Sequence, residues 1–524
     1  MSEQGGSGRR IVPWLFSCLA AVTTLALYVS RLGLHTAAPV FVPPPPPARA
    51  TVELWLSTAD RRLQLVRQPD IEMSAPPAAA ADVAIDTGKT YQSIVGFGAA
   101  LTDASAWLIQ NKLDERQRAA LLQELFGPPP GLNLDMTRLT IGASDFSLQR
   151  YTLDDLPPGQ TDPALEHFNV AADLGSVIPT VREAMAFNPR LRVIASPWSA
   201  PAWMKTSANL IGGELLPQFE STYADYLVKY VDTFRRYGIP IFALTLQNEP
   251  GFIPVTYPGM QLPAATRARI IAQYLGPALA SRKPKTAILE WDHNWDEPAQ
   301  PLSVLSDPAA ARYVDGVAWH CYRGSAYAQG PVHHQFPRKD NYITECSGGD
   351  WDYKQDDELL WFARNLLLEG LRNWARGVVY WNLALDESHG PHLGGCGNCK
   401  GLVTIDSRTG AVKRNDEYYA FAHFSRFVLP GALRVRSTAT GKGIENVAFQ
   451  NAGGGSVVLV VVNSNTAARV VSVAQDVTHF RYTLPPQSVA TFVWNPDQAS
   501  QQLAPASAAS ARPAPATSAS RAQR

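Results

Sequence analysis

Between Tyr91 and Leu429 short apolar runs alternate with longer stretches in which apolar residues recur every three or four positions. The runs are YQSIVGFGAA, LDMTRLTIGASDF, LRVIASPWSAP, IFALTLQNEP, TAILEWDHN, GVAWHCYRG, YITECSGG and GVVYWNLALD. Their near-continuous apolar character is that of strands covered on both faces, as in a parallel sheet. Most of the intervals have a helical period. Ser221 to Tyr237 places Tyr223, Leu227, Tyr230, Val231 and Phe234 on one stripe and stops at Gly238 and Pro240. Residues 356–375, DDELLWFARNLLLEGLRNWA, open on acids and carry Arg372 near their end, as the helix dipole favours. The interval between the sixth and seventh runs is short. Even so, eight β-then-α units in series predict a (β/α)8 TIM barrel, and no Gly-x-Gly-x-x-Gly follows any run to support a dinucleotide fold.

The flanks change the period from 3.6 to 2. TVELWLST and RRLQLVRQ (Thr51 to Gln68) alternate like strands, as do SVVLVVVNS, ARVVSVAQ and SVATFVWN beyond Gly431. They predict a side β-sandwich built from both chain termini. The expected organisation is N-terminal sandwich strands over 51–90, the barrel over 91–429 and C-terminal sandwich strands over 430–497. Before them, Arg9-Arg10 precede an uncharged stretch, Ile11 to Ser30, of bilayer-spanning length, so residues 1–35 read as a signal or membrane anchor. Either form exports the catalytic part, to the periplasm or the extracellular space. Residues 36–50, with PPPPP at Pro43 to Pro47, form a stiff linker, and the Ala/Ser/Pro/Gln-rich tail over 498–524 is expected to be disordered.

Composition narrows the partners. Lys+Arg and Asp+Glu each number 46, so the formal net charge is zero and no basic field exists for nucleic acid. Thirteen Trp and eighteen Tyr permit a sugar-binding cleft. Cys396 and Cys399 in GGCGNCKG have ligand-like spacing but no second pair to enclose a metal, and they read equally as a small loop disulfide or a free pair. Cys321 and Cys346 read as small buried residues. No metal or cofactor is expected.

Active sites of such barrels lie at the C-terminal strand ends. Asp145, Trp198, Asn248-Glu249, Asp292-His293-Asn294, His320, Tyr322, Glu345 and Trp381-Asn382 all fall there. Glu249 and Glu345, on the fourth and seventh runs, face each other across the barrel mouth, which suits cleavage of a glycosidic bond by a nucleophile and an acid. A separation of about 5–5.5 Å would imply retention. Asn248 is placed to reach a sugar 2-hydroxyl, Trp198 and Trp381 to stack on or wall the ring, Tyr322 to hold the nucleophile's charge, and Arg138 to stabilise a nearby carboxylate. The charge of Glu345 should raise the pKa of Glu249.

FGAALTDASA, SPWSAPAWMKT, LQNEP, HCY, TECSGG and YWNLALD, in this order and spacing, resemble glycoside hydrolase family 30, the family of lysosomal acid β-glucosidase, over about Tyr91 to Tyr419. The resemblance implies Glu249 as acid/base, Glu345 as nucleophile, Asp145, Trp198, Asn248, Tyr322 and Trp381 lining the sugar subsite, and Arg138 supporting it. It implies a retaining β-glucosidase of the glucosylceramidase kind, with Asp145 holding the far hydroxyls of a glucosyl unit. The alternatives are an endo-β-1,6-glucanase using the same pair, or a carbohydrate-binding protein without catalysis. Two departures near the cleft entrance leave the aglycone open between glycolipid, glucan and small glycoside. They are Cys321, where a bulky aromatic is usual in the lysosomal enzyme, and the loop ESHGPHLGGCGNCKG.

Overall fold

Eight parallel strands close into a barrel in sequence order: β1 (Gly96–Ala100), β2 (Met136–Ile141), β3 (Arg192–Pro197), β4 (Ile241–Thr245), β5 (Ala287–Asn294), β6 (Val314–His320), β7 (Asp340–Glu345) and β8 (Ala375–Tyr380). Pairing of β8 with β1 closes the ring. The computed structural model describes residues 50–75, 80–351, 358–438 and 440–496. The expected anchor at 11–30, the proline run and the tail from 498 lie outside the described residues. Among the described residues no helix is long and apolar enough to cross a membrane.

The predicted helices cover the barrel. Glu220–Arg236 buries Tyr223, Leu227, Tyr230, Val231 and Phe234 completely, the stripe read from its period. The short interval before β7 holds the helix Gln329–Gln335. The helix over 358–372 winds into a π turn at Phe362–Leu368.

Inside the barrel, Val95, Met136, Ile194, Ala243, Leu289, Ala318, Tyr342 and Val379 form an apolar plug. Strand side chains alternate, so the residue two positions further on enters the barrel one layer higher. That rule turns the plug into a polar floor of Arg138, Ser196, Thr245, His320 and Thr344. Strand β5 breaks it. Trp291 and Asp292 have φ of 76° and 61°, and the pairing with β6 slips between Trp291 and His293. The bulge sends Trp291 into the outer core and brings Asp292 inward.

Nine strands form the side sheet, in the order Val66–Glu72, Thr51–Thr58, Ser488–Trp494, Val457–Asn463, Ile444–Gln450, Leu433–Ser437, Val83–Ser93, Arg469–Gln475 and Thr478–Leu484. Strands from both ends of the chain therefore interleave around a second core that includes Leu54, Val83, Leu459, Val461 and Phe492. Two boundaries differ from the sequence reading. The second strand begins at Val66 because Arg61 and Leu65, at φ of 61° and 53°, turn the chain first. Tyr91 to Ser93 belong to the side sheet, where Leu433–Ser437 supplies their partner, and the barrel strand starts at Gly96. A Cβ on Gly96 would meet Asp135 Cβ at 2.7 Å, so the crossover into the barrel requires glycine.

Candidate active site

Glu345 ends β7 and is 5% exposed. A register slip against β6 sets it opposite His320 and turns its carboxylate into the barrel mouth. Arg138 Nη1 donates to Glu345 Oε2 at 2.5 Å, and the Tyr322 hydroxyl donates to Oε1 at 2.8 Å. Arg138 is completely buried, and its Nη2 donates to Asn248 Oδ1 at 2.7 Å and to Asp292 Oδ2 at 2.8 Å. A planar fork suits three such acceptors at once. Tyr322 is 42% exposed, while its hydroxyl turns inward and also meets Ser347 Oγ at 3.1 Å.

Glu249 follows β4 at a φ of 48°. Its Oε1 lies 3.1 Å from His320 Nδ1 and 3.3 Å from His293 Nδ1. Burial pushes Glu249 up, but the hydrogen bonds and charge of His293 and His320 outweigh it and hold the carboxyl down at about 2. The expected rise from Glu345 is thus overturned, because two imidazoles sit closer to Glu249 than sequence order suggested. His320 resists burial in the opposite sense. The charge of Glu345 and the contacts with Asp292 and Glu249 raise it to about 9. The proton of the site accordingly rests on His320.

Asp292 anchors the imidazole's far side, with His320 Nε2 at 3.1 Å from Oδ1. It also accepts from Arg138, from Ser196 at 2.6 Å, from Thr245 at 2.7 Å and from Thr344 at 2.6 Å. Burial opposes the charge, but Arg138 and these donors hold Asp292 well below the usual carboxylate range. Glu249, His293 and His320 are near enough to surround a cation. However, both ring nitrogens of His320 already face carboxylates, which makes it a donor on both sides rather than a ligand.

These groups face a cavity of about 460 Å³ lined by Asp145, Glu249, Tyr322, Glu345 and Trp381, among others. Burial, and then the charge of Glu345, push Asp145 well above its ordinary value. Trp198, Asn248 and Arg138 are not among the residues that line it. Trp198 stacks under Trp381 at 5.1 Å and 20°, and the Arg138 guanidinium sits 4.8 Å from its ring. Asn248 is taken up by Arg138.

Both cysteine pairs are disulfides. Cys396 and Cys399 form part of the cavity wall. Cys321 and Cys346, expected from sequence to be small buried residues, follow His320 and Glu345 on neighbouring parallel strands. The shared height brings their Cα atoms to 5.2 Å. The residues that sequence reading passed over are Asp292, His293 and His320, which it noted at strand ends without assigning them, and the hydroxyls of Ser196, Thr245 and Thr344. A hydroxyl two positions beyond an apolar plug residue was the available signal.

Residues 94–428 match the glycosyl hydrolase family 30 TIM-barrel domain, and residues 431–492 match that family's beta sandwich domain. The chain belongs to glycosyl hydrolase family 30. It is 36% identical over 441 residues to the endo-1,6-beta-D-glucanase neg1 of Aspergillus fumigatus, covering 78% of this chain and 86% of that one. The lysosomal acid glucosylceramidase of Mus musculus is 29% identical over 433 residues, with 78% and 82% covered. The solved endo-beta1,6-glucanase BT3312 superposes with a TM-score of 0.78 at 30% identity, over 84% of this chain and 99% of that one. Family membership makes the chain a glycoside hydrolase acting on a glycan or glycoside.

Proposed function

We propose that this chain is a retaining endo-β-1,6-glucanase with Glu345 as nucleophile and Glu249 as acid/base. The observation that carries the chemistry is the setting of Glu345, which Arg138 and Tyr322 orient toward the cavity across from Glu249. His320 Nδ1 lies 3.1 Å from Glu249 Oε1 and 3.8 Å from Glu345 Oε1, which caps the distance between those oxygens at about 7 Å. That supports the close spacing of retaining enzymes, about 5–5.5 Å between carboxyl groups. The linkage rests on the relatives. The endo-1,6-glucanases are 35–38% identical to this chain, against 28–31% for the glucosylceramidases. This favours the glucan over the glycolipid that the sequence motifs first suggested.

In the first step a Glu345 oxygen bonds to the anomeric carbon, the bond to the leaving sugar breaks, and the leaving oxygen takes a proton from Glu249. That proton comes to Glu249 from His320 Nδ1. The charge of Glu345 is the largest influence holding the proton on His320. As Glu345 becomes an ester that charge disappears, and the proton is released along the contact toward Glu249 and the departing oxygen. In the second step water gives a proton to Glu249, which passes it back to His320, and its oxygen bonds to the anomeric carbon as the ester bond breaks and frees Glu345 as a carboxylate. Export of the catalytic part, by the apolar segment Ile11 to Ser30, fits a polymeric substrate and two disulfides.

Incubation with β-1,6-glucan and, separately, with glucosylceramide tests the reading. The expected result is a rapid fall in polymer length with a ladder of oligosaccharides. Glucose as the sole early product, or faster turnover of glucosylceramide, would overturn it.

A further inference from the structure

Between β2 and the helix Val177–Phe187 the chain forms a long loop over the barrel mouth. Within it, Asp154, Asp162 and His167 place one carboxylate oxygen, another carboxylate oxygen and one imidazole nitrogen within 4.8 Å of one another. None of the three was singled out by the sequence, and none touches the catalytic network.

Asp154 sets this group apart from an ordinary polar turn. It is 0% exposed, and among the described residues neither of its carboxylate oxygens accepts a hydrogen bond. A buried carboxylate without donors is costly to keep charged. Asp162 sets a second carboxylate beside it. The nearby Lys229 ammonium donates to the Leu165 carbonyl. Asp162 Oδ2 is already engaged with the His167 backbone at 2.7 Å and its Nδ1 at 2.9 Å, a carboxylate–imidazole pair of the kind that orients a metal-binding histidine. The His167 side chain is 65% exposed, so the group is open to solvent on one side.

We infer that Asp154, Asp162 and His167 form a site for a divalent transition cation, zinc or manganese. Two carboxylates supply charge, and the imidazole selects against calcium and magnesium, which take oxygen ligands. Solvent completes the coordination from the His167 side. The ion would brace the barrel mouth: the Asp154 carbonyl accepts from Trp203 Nε1 at 3.0 Å, and the Leu153 amide donates to the Tyr226 hydroxyl at 3.2 Å. The loop that follows β2 and carries Asp145 would thereby be tied to the segment after β3 and to the helix Glu220–Arg236.

The test uses the full chain, freed of metal by chelation and titrated calorimetrically with zinc chloride, manganese chloride and calcium chloride. One zinc or manganese ion should bind per chain and raise Tm by a few degrees. Asp154→Asn should abolish binding, and His167→Ala, on the exposed side, should weaken it at least tenfold. Glu249→Gln serves as the control for the catalytic cluster and should bind as wild type does. The proposal fails if wild type binds neither ion, if it binds calcium alone, if Asp154→Asn binds equally well, or if Glu249→Gln removes the binding. It fails equally if anomalous diffraction from ion-soaked crystals shows only water among the three side chains.

Discussion

His320 Nδ1 lies 3.1 Å from Glu249 Oε1, while its Nε2 lies 3.1 Å from Asp292 Oδ1. One imidazole therefore joins the candidate acid to a buried, permanently charged carboxylate. The pair formed by Glu249 and His320 holds a single working proton.

This arrangement sets the alkaline limit of activity. On β-1,6-linked oligosaccharides, kcat/KM should fall as pH rises through about 9, where His320 releases that proton. In His320→Gln, Glu249 must hold the proton alone, against its neighbour Glu345. The alkaline limb should then move to lower pH, with kcat/KM reduced by about 10²–10⁴. An unmoved limb would show that His320 only packs against Glu249.

The assigned roles separate by substrate. A 2-deoxy-2-fluoro-glucoside should label Glu345 covalently, and peptide mapping of the label to another residue would reverse the assignment. Glu249→Ala should slow natural glucan far more than activated aryl glucosides, and azide should rescue the latter as the β-glucosyl azide. Equal losses on both substrates without rescue would remove Glu249 from the acid/base role.

Arg138 bridges two carboxylates from full burial. Arg138→Met leaves Asp292 and Glu345 without their shared countercharge, and such losses cost about 3–5 kcal/mol. Chemical unfolding should show this loss of stability together with the loss of activity. Arg138→Lys should recover part of the stability and little of the activity, since an ammonium cannot reach three acceptors in a plane.

His423 links the barrel to the side sheet, with its Nε2 at 2.9 Å from Ser57 Oγ and its Nδ1 at 2.8 Å from Thr491 Oγ1. Burial, aided by the charge of Arg426, lowers it to about 3. A histidine depressed in the fold binds its proton more readily when unfolded. Its contribution is complete above about pH 6.5 and is lost as pH falls from there toward 3. Thermal unfolding across pH 4–7 should be steeper in wild type than in His423→Gln, and parallel curves would refute the linkage.

Much of this protein was determined by its sequence. The eight barrel strands, their order and the acids at the ends of β4 and β7 follow from period and position, which are local properties of a chain. So does the contribution of both termini to the side sheet. The tertiary structure decided what depends on neighbours. Alternation along β5 would have pointed Trp291 inward, and only a bulge set by pairing with β6 brings Asp292 there instead. Adjacency of β6 and β7 paired Cys321 with Cys346. Stacking set Trp198 against Trp381, which itself lines the cavity. The resting place of the proton was decided in the same way. Sequence order showed two facing glutamates, but a pKa answers to through-space charge, and the nearest charge to Glu249 is an imidazole 71 residues away along the chain.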